Sequence, residues 1–256
     1  MTVPVFVLRS LPILALIAIW QLVASSGAVD KFLLPSAFVV AQKVVEDFAS
    51  GDVFVNVGYT IYRALVGFAI AAVIGTTVGL SMSMSSKVKW FFDPIVSVGF
   101  PMPKISLLPI FILWFGLDDA SKIAMIALGC VFVITANAYA GALGVERQLI
   151  WSSRMLGASQ SRVLLDVVLP AATPQILTGY QIALPISLII ALVTEMIMGG
   201  TGLGAQLLLA SRYANSPALF ASIIEIAMAG ALVVNGMRIL RARLLHWHEE
   251  TQVTTD

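Results

Sequence analysis

Glu195 closes one long apolar run of this chain, and Glu225 lies inside another. A carboxylate held in hydrocarbon costs a few kcal/mol, so such a group faces a cavity, a partner or an interface. The chemistry open to these two is that of a solute pathway, a gate or a bond between helices. Glu195 is a candidate pathway or gate residue, or an interfacial one where the cost falls. Glu225 is placed deeper, as cavity lining or a helix–helix contact, or else sits shallower than its run suggests. Asn137, Gln181 and Asn235 are polar positions within apolar runs, where hydrogen bonding between helices is the default. Asn137 joins the two glutamates as a candidate pathway position.

Motifs for other chemistries are missing from the chain. No G-x-x-x-x-G-K-[ST] occurs, so ATP is not bound here through a phosphate-binding loop. No H-E-x-x-H and no G-x-S-x-G occurs either. GGTGLG at 199–204 is glycine-rich, but no strand precedes it, and it reads as a loop breaker. His246 and His248 flank Trp247 near the end of the chain; anchoring at a membrane edge suits them better than metal binding. No catalytic, cofactor or metal site is expected, and the chain is not expected to be an enzyme. The one cysteine, Cys130, lies in an apolar run and reads as a packed small residue.

The elements that must position these groups are membrane helices. Of 256 residues, 59% are hydrophobic and 11% charged, against about 25% charged in typical soluble domains. Mean hydropathy is +0.96. Uncharged runs of 20, 23, 23 and 28 residues lie at 10–29, 64–86, 123–145 and 167–194, and 25 residues at 213–237 hold only Glu225. Each reaches the ~20 residues a spanning helix needs. The first run follows Arg9 and has a loosely signal-like end at Ala24-Ser25-Ser26; a retained anchor is the expected reading.

A sixth span is expected at 91–117, interrupted by Pro94, Pro101, Pro103 and Pro109. Prolines inside a span are tolerated where the freed carbonyls face protein or water. This segment is a kinked helix, or else a wall of a permeation path with Pro101 and Pro103 at its break. With the N-terminus inside, ten Lys and Arg fall inside and five outside. The positive-inside rule therefore places both termini in the cytoplasm. That count puts Lys104 inside, and Lys31, Lys43, Arg63, Lys122 and Arg212 outside.

Between the first two spans, Pro35-Ser36 begins and Gly51 ends a short interfacial helix. Its apolar side is Phe38, Val39, Val45 and Phe48, and its polar side is Lys43, Glu46 and Asp47. Gly67, Ala71, Gly75 and Gly79 recur every four residues, the pattern of close helix approach. It suits a contact within the chain or between subunits. The fold expected is all-α: one membrane domain, 1–256, with six spans.

Between spans four and five, Trp151–Pro170 is too polar to remain in the membrane. Trp151 and Met155 share a helix face. Gly157 can supply a left-handed turn, Ser159 can cap the next helix, and Pro170 is expected to break it before span five. A short exposed helix joined rigidly to spans is a lever for a soluble partner, or else a plain surface loop.

RMLGAS at 154–159 and VVLPAATPQILTGYQIAL at 167–184 resemble the EAA loop of permease subunits of binding-protein-dependent ABC importers. FLLPS at 32–36, YRALVGF at 62–68, FPMPKISLLPIFILWFGL at 100–117 and TEM at 194–196 resemble the sulfonate, taurine and nitrate branch. The resemblance implies a permease of the bacterial inner membrane, paired with a second, usually identical copy. It also implies two cytoplasmic ATPase subunits that bind the ATP, and a periplasmic or lipid-anchored solute-binding protein. It makes about 146–170 the coupling loop, with Trp151, Ser152, Ser153, Arg154, Met155, Leu156, Gly157, Ala158, Ser159 and Arg162 docking the ATPase. The family's Glu-Ala-Ala is here Trp151-Ser152-Ser153, so docking would rely more on apolar burial. The implied solute is a small organic anion. A stand-alone channel or secondary transporter is the competing class, and it would need no ATPase.

Overall fold

The structure, a computed structural model, describes residues 5–245. His246, Trp247 and His248 lie outside them. The described residues form helices only: α1 (Val5–Ser25), α2 (Ala37–Ser50), α3 (Asp52–Met84), α4 (Ser86–Gly99), a 3-10 turn (Lys104–Leu107) and α5 (Leu108–Phe115). There follow α6 (Asp119–Leu143), α7 (Arg147–Met155), α8 (Gln160–Arg162), a π turn (Val163–Val168), α9 (Leu169–Met198), α10 (Leu203–Arg212) and α11 (Ser216–Leu244).

Four helical stretches are long and apolar enough to cross a membrane: Asp52–Met84, Asp119–Leu143, Gln160–Met198 and Ser216–Leu244. Ser86–Gly99 and Lys104–Phe115 together make a fifth, broken span, bent by 97° where the proline-rich segment was expected to interrupt it. The described apolar part of α1, Leu11–Ser25, is a shorter helix. Four spans, or five with the broken one, thus stand where six were expected.

The centre of the bundle is α3, α6 and α9. The Gly67–Gly79 stripe lies buried between α3 and α6. A Cβ on Gly67 would stand 2.6 Å from Ile126 Cβ, and one on Gly79 2.6 Å from the Thr135 carbonyl. Small residues there let the two backbones meet, so the stripe serves a contact within the chain. Met125, Ile126, Cys130, Ile134, Ala183 and Ala191 fill the core around it.

Two expectations are corrected. Pro170 does not end a helix: Gln160–Met198 runs on as one 39-residue stretch. The π turn stands directly before it, with the Leu169 N–H reaching the Leu164 carbonyl. Proline has no N–H to offer, and its ring crowds the preceding turn; a widened turn makes room for it without breaking the helix. The second concerns α2. It starts and stops as read, with Ser36 accepting from the Val39 N–H and Gly51 left-handed at φ +86°. Its apolar residues Phe38, Val39 and Val45 face away from the bundle, which suits an interfacial helix, but Asp47 from the expected polar side is buried.

Candidate functional site

One end of the bundle carries the arm formed by α7, α8 and the turn between them. Glu146 precedes α7, whose exposed residues include Leu149 and Trp151. The helix stops at Gly157, at φ +82°. The Ala158 N–H bonds the Ser153 carbonyl at 3.1 Å, and the Gly157 N–H bonds that of Arg154 at 2.9 Å. These are the paired bonds of a Schellman motif, which satisfy carbonyls that a helix end leaves open. Ser159 then caps α8 by accepting from the Arg162 N–H.

The arm is fixed at its base. Val145, Val163 and Val168 are buried with Leu80, Ala138, Ala142 and Ala172, and Ile150 and Ala158 pack on that cluster. Gln160 Nε2 donates to the Met84 carbonyl at the end of α3. Its tip is bare: Trp151 is 58% exposed, Met155 88% and Leu156 89%. Ser152, Arg154 and Arg162 are exposed beside them and Ser153 is half-buried. Placing three large apolar groups in water is unfavourable unless something covers them.

The opposite end is closed by an ionic cluster. Arg63 is 3% exposed and Glu195 fully buried, 2.7 Å apart from Nη1 to Oε1. Thr60 donates to Glu195 Oε2 at 2.9 Å, and so does the Gly204 N–H at 3.0 Å. Arg63 Nε pairs with Asp119 at 2.7 Å, and Nη1 also donates to the Thr201 carbonyl. Lys122 Nζ donates to the Gly199 carbonyl at 2.9 Å. The 199–204 loop wraps the carboxylate closely, since a Cβ on Gly202 would lie 2.3 Å from Glu195 Cδ. The glycines thus do more than break a helix, because their absent side chains make the space that Glu195 fills. This arrangement ties α3, α6, α9 and α10 together. Arg63 and its part in it were missed from the sequence, where it served only to bound a run; YRALVGF gave no sign of its partner.

The remaining pathway candidates are separate from that cluster. Glu225, 1% exposed, is buried in α11. It faces Asp47 and Lys43 of α2. Lys43 donates to Asp47 at 2.7 Å, and that bond, opposed by burial and aided by nearby carboxylates, raises its pKa above 10.5. Asn137 joins α6 to α9, accepting from Gln175 Nε2 at 3.0 Å. Gln181 accepts from Arg241, and Asn235 is exposed. Pro101 and Pro103 are exposed at the break between α4 and α5. The structure therefore brings Asn137, Glu195, Glu225 and the two prolines to four different places.

A multi-pass helical bundle with an anchored arm at one end is the build of a membrane transport subunit. The chain belongs to the binding-protein-dependent transport system inner membrane components, whose family model matches residues 71–246; it is a permease subunit of an ABC importer. A Bacillus subtilis relative named as an aliphatic sulfonates transport permease, SsuC, is 33% identical over 91% of this chain and 84% of its own length. The taurine transport system permease protein TauC of Escherichia coli is 31% identical over 93% of this chain and 88% of its own. In fold, the chain is similar to a subunit of the inward-facing MetNI methionine ABC transporter. There the TM-score is 0.67 at 20% identity, over 74% of this chain and 94% of that one.

Proposed function

We propose that two copies of this chain form the path of an importer for a small anionic solute, a sulfonate, taurine or nitrate. A pair of cytoplasmic ATPase subunits drives it, binding the ATP that this chain does not. A periplasmic or lipid-anchored binding protein delivers the solute. α1 supplies a sixth span, and both termini lie in the cytoplasm of a bacterial inner-membrane protein. The names of the two relatives support the solute class.

The observation that carries the reading is the arm's tip. Trp151, Met155 and Leu156 stand out from a base packed into α3, α6 and α9. An ATPase surface that buries them gains their hydrophobic free energy and grips a rigid handle. Its movement then passes to the spans instead of being absorbed in a loose loop. Trp151, Ser152 and Ser153 in place of the acidic pattern fit a docking held by apolar contact.

Gly157→Pro tests it. Proline cannot adopt φ +82° or donate to the Arg154 carbonyl. The variant is expected to remain in the membrane while ATP-driven uptake and coupled ATP hydrolysis are lost. Normal uptake by this variant would refute the lever.

A further inference from the structure

Lys104 opens the 3-10 turn at the break between α4 and α5. Its ammonium donates to the Phe100 carbonyl at 2.7 Å. It also lies 5.9 Å from the Phe100 ring centre and 5.6 Å from that of Phe132. Among the described residues, no carboxylate lies within ion-pair distance of it. Phe132 fixes the depth: α6 runs from Asp119 to Leu143, so Phe132 is the fourteenth of its 25 residues. Lys104 therefore lies beside the middle of a span rather than at the inner surface where the charge count put it.

The surroundings bring the cation and the ring together. Gly99 admits the Phe132 ring so closely that a Cβ there would stand 2.3 Å from it. Pro101 and Pro103 lack N–H groups and turn the chain away from α4. Serving as a cap for the Phe100 carbonyl uses one of the ammonium's three donors. The ring faces stabilise the charge but accept no conventional hydrogen bond. The side chain is half-buried, and Phe100, Pro101, Pro103 and Ile105 around it are exposed. A lysine at mid-span is not left against lipid; it meets a carbonyl, as this one does, and beyond that an opposite charge or water.

We propose that Lys104 is the anion-recognising group of the translocation path, pairing with the sulfonate-type head of the solute at the middle of the membrane. This deepens the solute reading above and rests on it for the identity of the anion. The two rings suit an anion with a short carbon stem, which can lie along an aromatic face while its oxygens meet the ammonium.

Two measurements test this. In a Cys130→Ala background, Ile105→Cys is treated in opened membrane vesicles with two methanethiosulfonates, one carrying an ethylsulfonate and the other an ethylammonium. Labelling is expected from water, and adding Lys104→Gln is expected to lower the anionic-to-cationic rate ratio at least about fivefold. No labelling by either reagent, or a ratio unmoved by that change, overturns the proposal. In cells, uptake of radiolabelled taurine and ethanesulfonate is expected to fall at least about tenfold in Lys104→Gln and to persist in Lys104→Arg, at equal membrane levels. Unchanged uptake in Lys104→Gln also overturns it. If the unaltered permease imports neither compound, the solute reading falls, and the reagent ratio decides the Lys104 site by itself.

Discussion

Glu195→Ala removes the carboxylate that three donors share. Arg63 Nη1, the Thr60 hydroxyl and the Gly204 N–H all lose an acceptor. Removing one partner of a buried ion pair costs about 3 to 5 kcal/mol, because the other charge stays buried. Arg63 keeps Asp119 and the Thr201 carbonyl, which reduces that figure. A stranded buried donor adds about 1 to 3 kcal/mol, and the Gly204 N–H bonds the Glu195 carboxylate. The Thr60 oxygen still accepts from the Leu203 N–H, so its hydroxyl can turn elsewhere. We expect a net loss of about 4 kcal/mol, from these two terms together. Glu195→Gln keeps the shape and one acceptor and should lose about half of that. Arg63→Met combined with Glu195→Met removes both charges and should be less harmful than Glu195→Ala alone. The assay is reversible unfolding of the purified permease in mixed micelles by dodecyl sulfate, followed by far-ultraviolet circular dichroism. A loss under about 1 kcal/mol for Glu195→Ala, the range of ordinary surface changes, would refute the view that this pair locks the four helices. So would a double variant as unstable as the sum of its two single changes.

Two further outcomes follow from the packing and the pH behaviour. Gly79→Leu places a side chain where even a Cβ stands 2.6 Å from backbone, so it should push α3 off α6 and cost at least about 1 to 3 kcal/mol; Gly58→Leu, with nothing within 4 Å, is the control expected to fold normally in the same unfolding assay. The Lys43 ammonium is held above its ordinary 10.5 by its bond to Asp47, so its contribution is full below pH 10.5 and is lost as pH climbs through the raised value. The unaltered protein should therefore be more stable than Lys43→Gln throughout pH 7 to 9, and lose that advantage only above 10.5; convergence between pH 7 and 9 would refute the pairing.

How much of this was visible beforehand depended on how local the cause was. Ser36, Gly51, Gly157 and Ser159 act on their own neighbours in the chain, and each was read correctly as the start, stop or turn of a helix. The Gly67–Gly79 stripe is also local, but its partner is not, so the choice between α6 and another subunit needed the fold. Asp47 was read with Lys43 and Glu46 as one polar side, because helix periodicity marks which residues share a side, not which side is covered. Pro170 was read by its usual effect, and the compensating π turn lay in the surrounding packing, not in the residue.

The charges show the same division most sharply. Hydropathy uses Arg63 and Glu195 as the ends of runs and gives Asp119 no part, because counting charges along a chain treats each as exposed. Folding gathers the three at one end of α3, α6 and α9, where each answers for another's burial. A membrane makes that exchange compulsory: a charge left in hydrocarbon must meet an opposite charge, a carbonyl or water. Arg63 meets two carboxylates, and Lys122 the Gly199 carbonyl. Lys104 meets one carbonyl and two rings, and lacks the carboxylates that lie near Lys122. The charge count placed it at the inner surface; its place in the bundle is set by Phe132, nearly thirty residues further along the chain. On the reading proposed above, a cation at a proline break beside the middle of a span is completed by the solute that passes it.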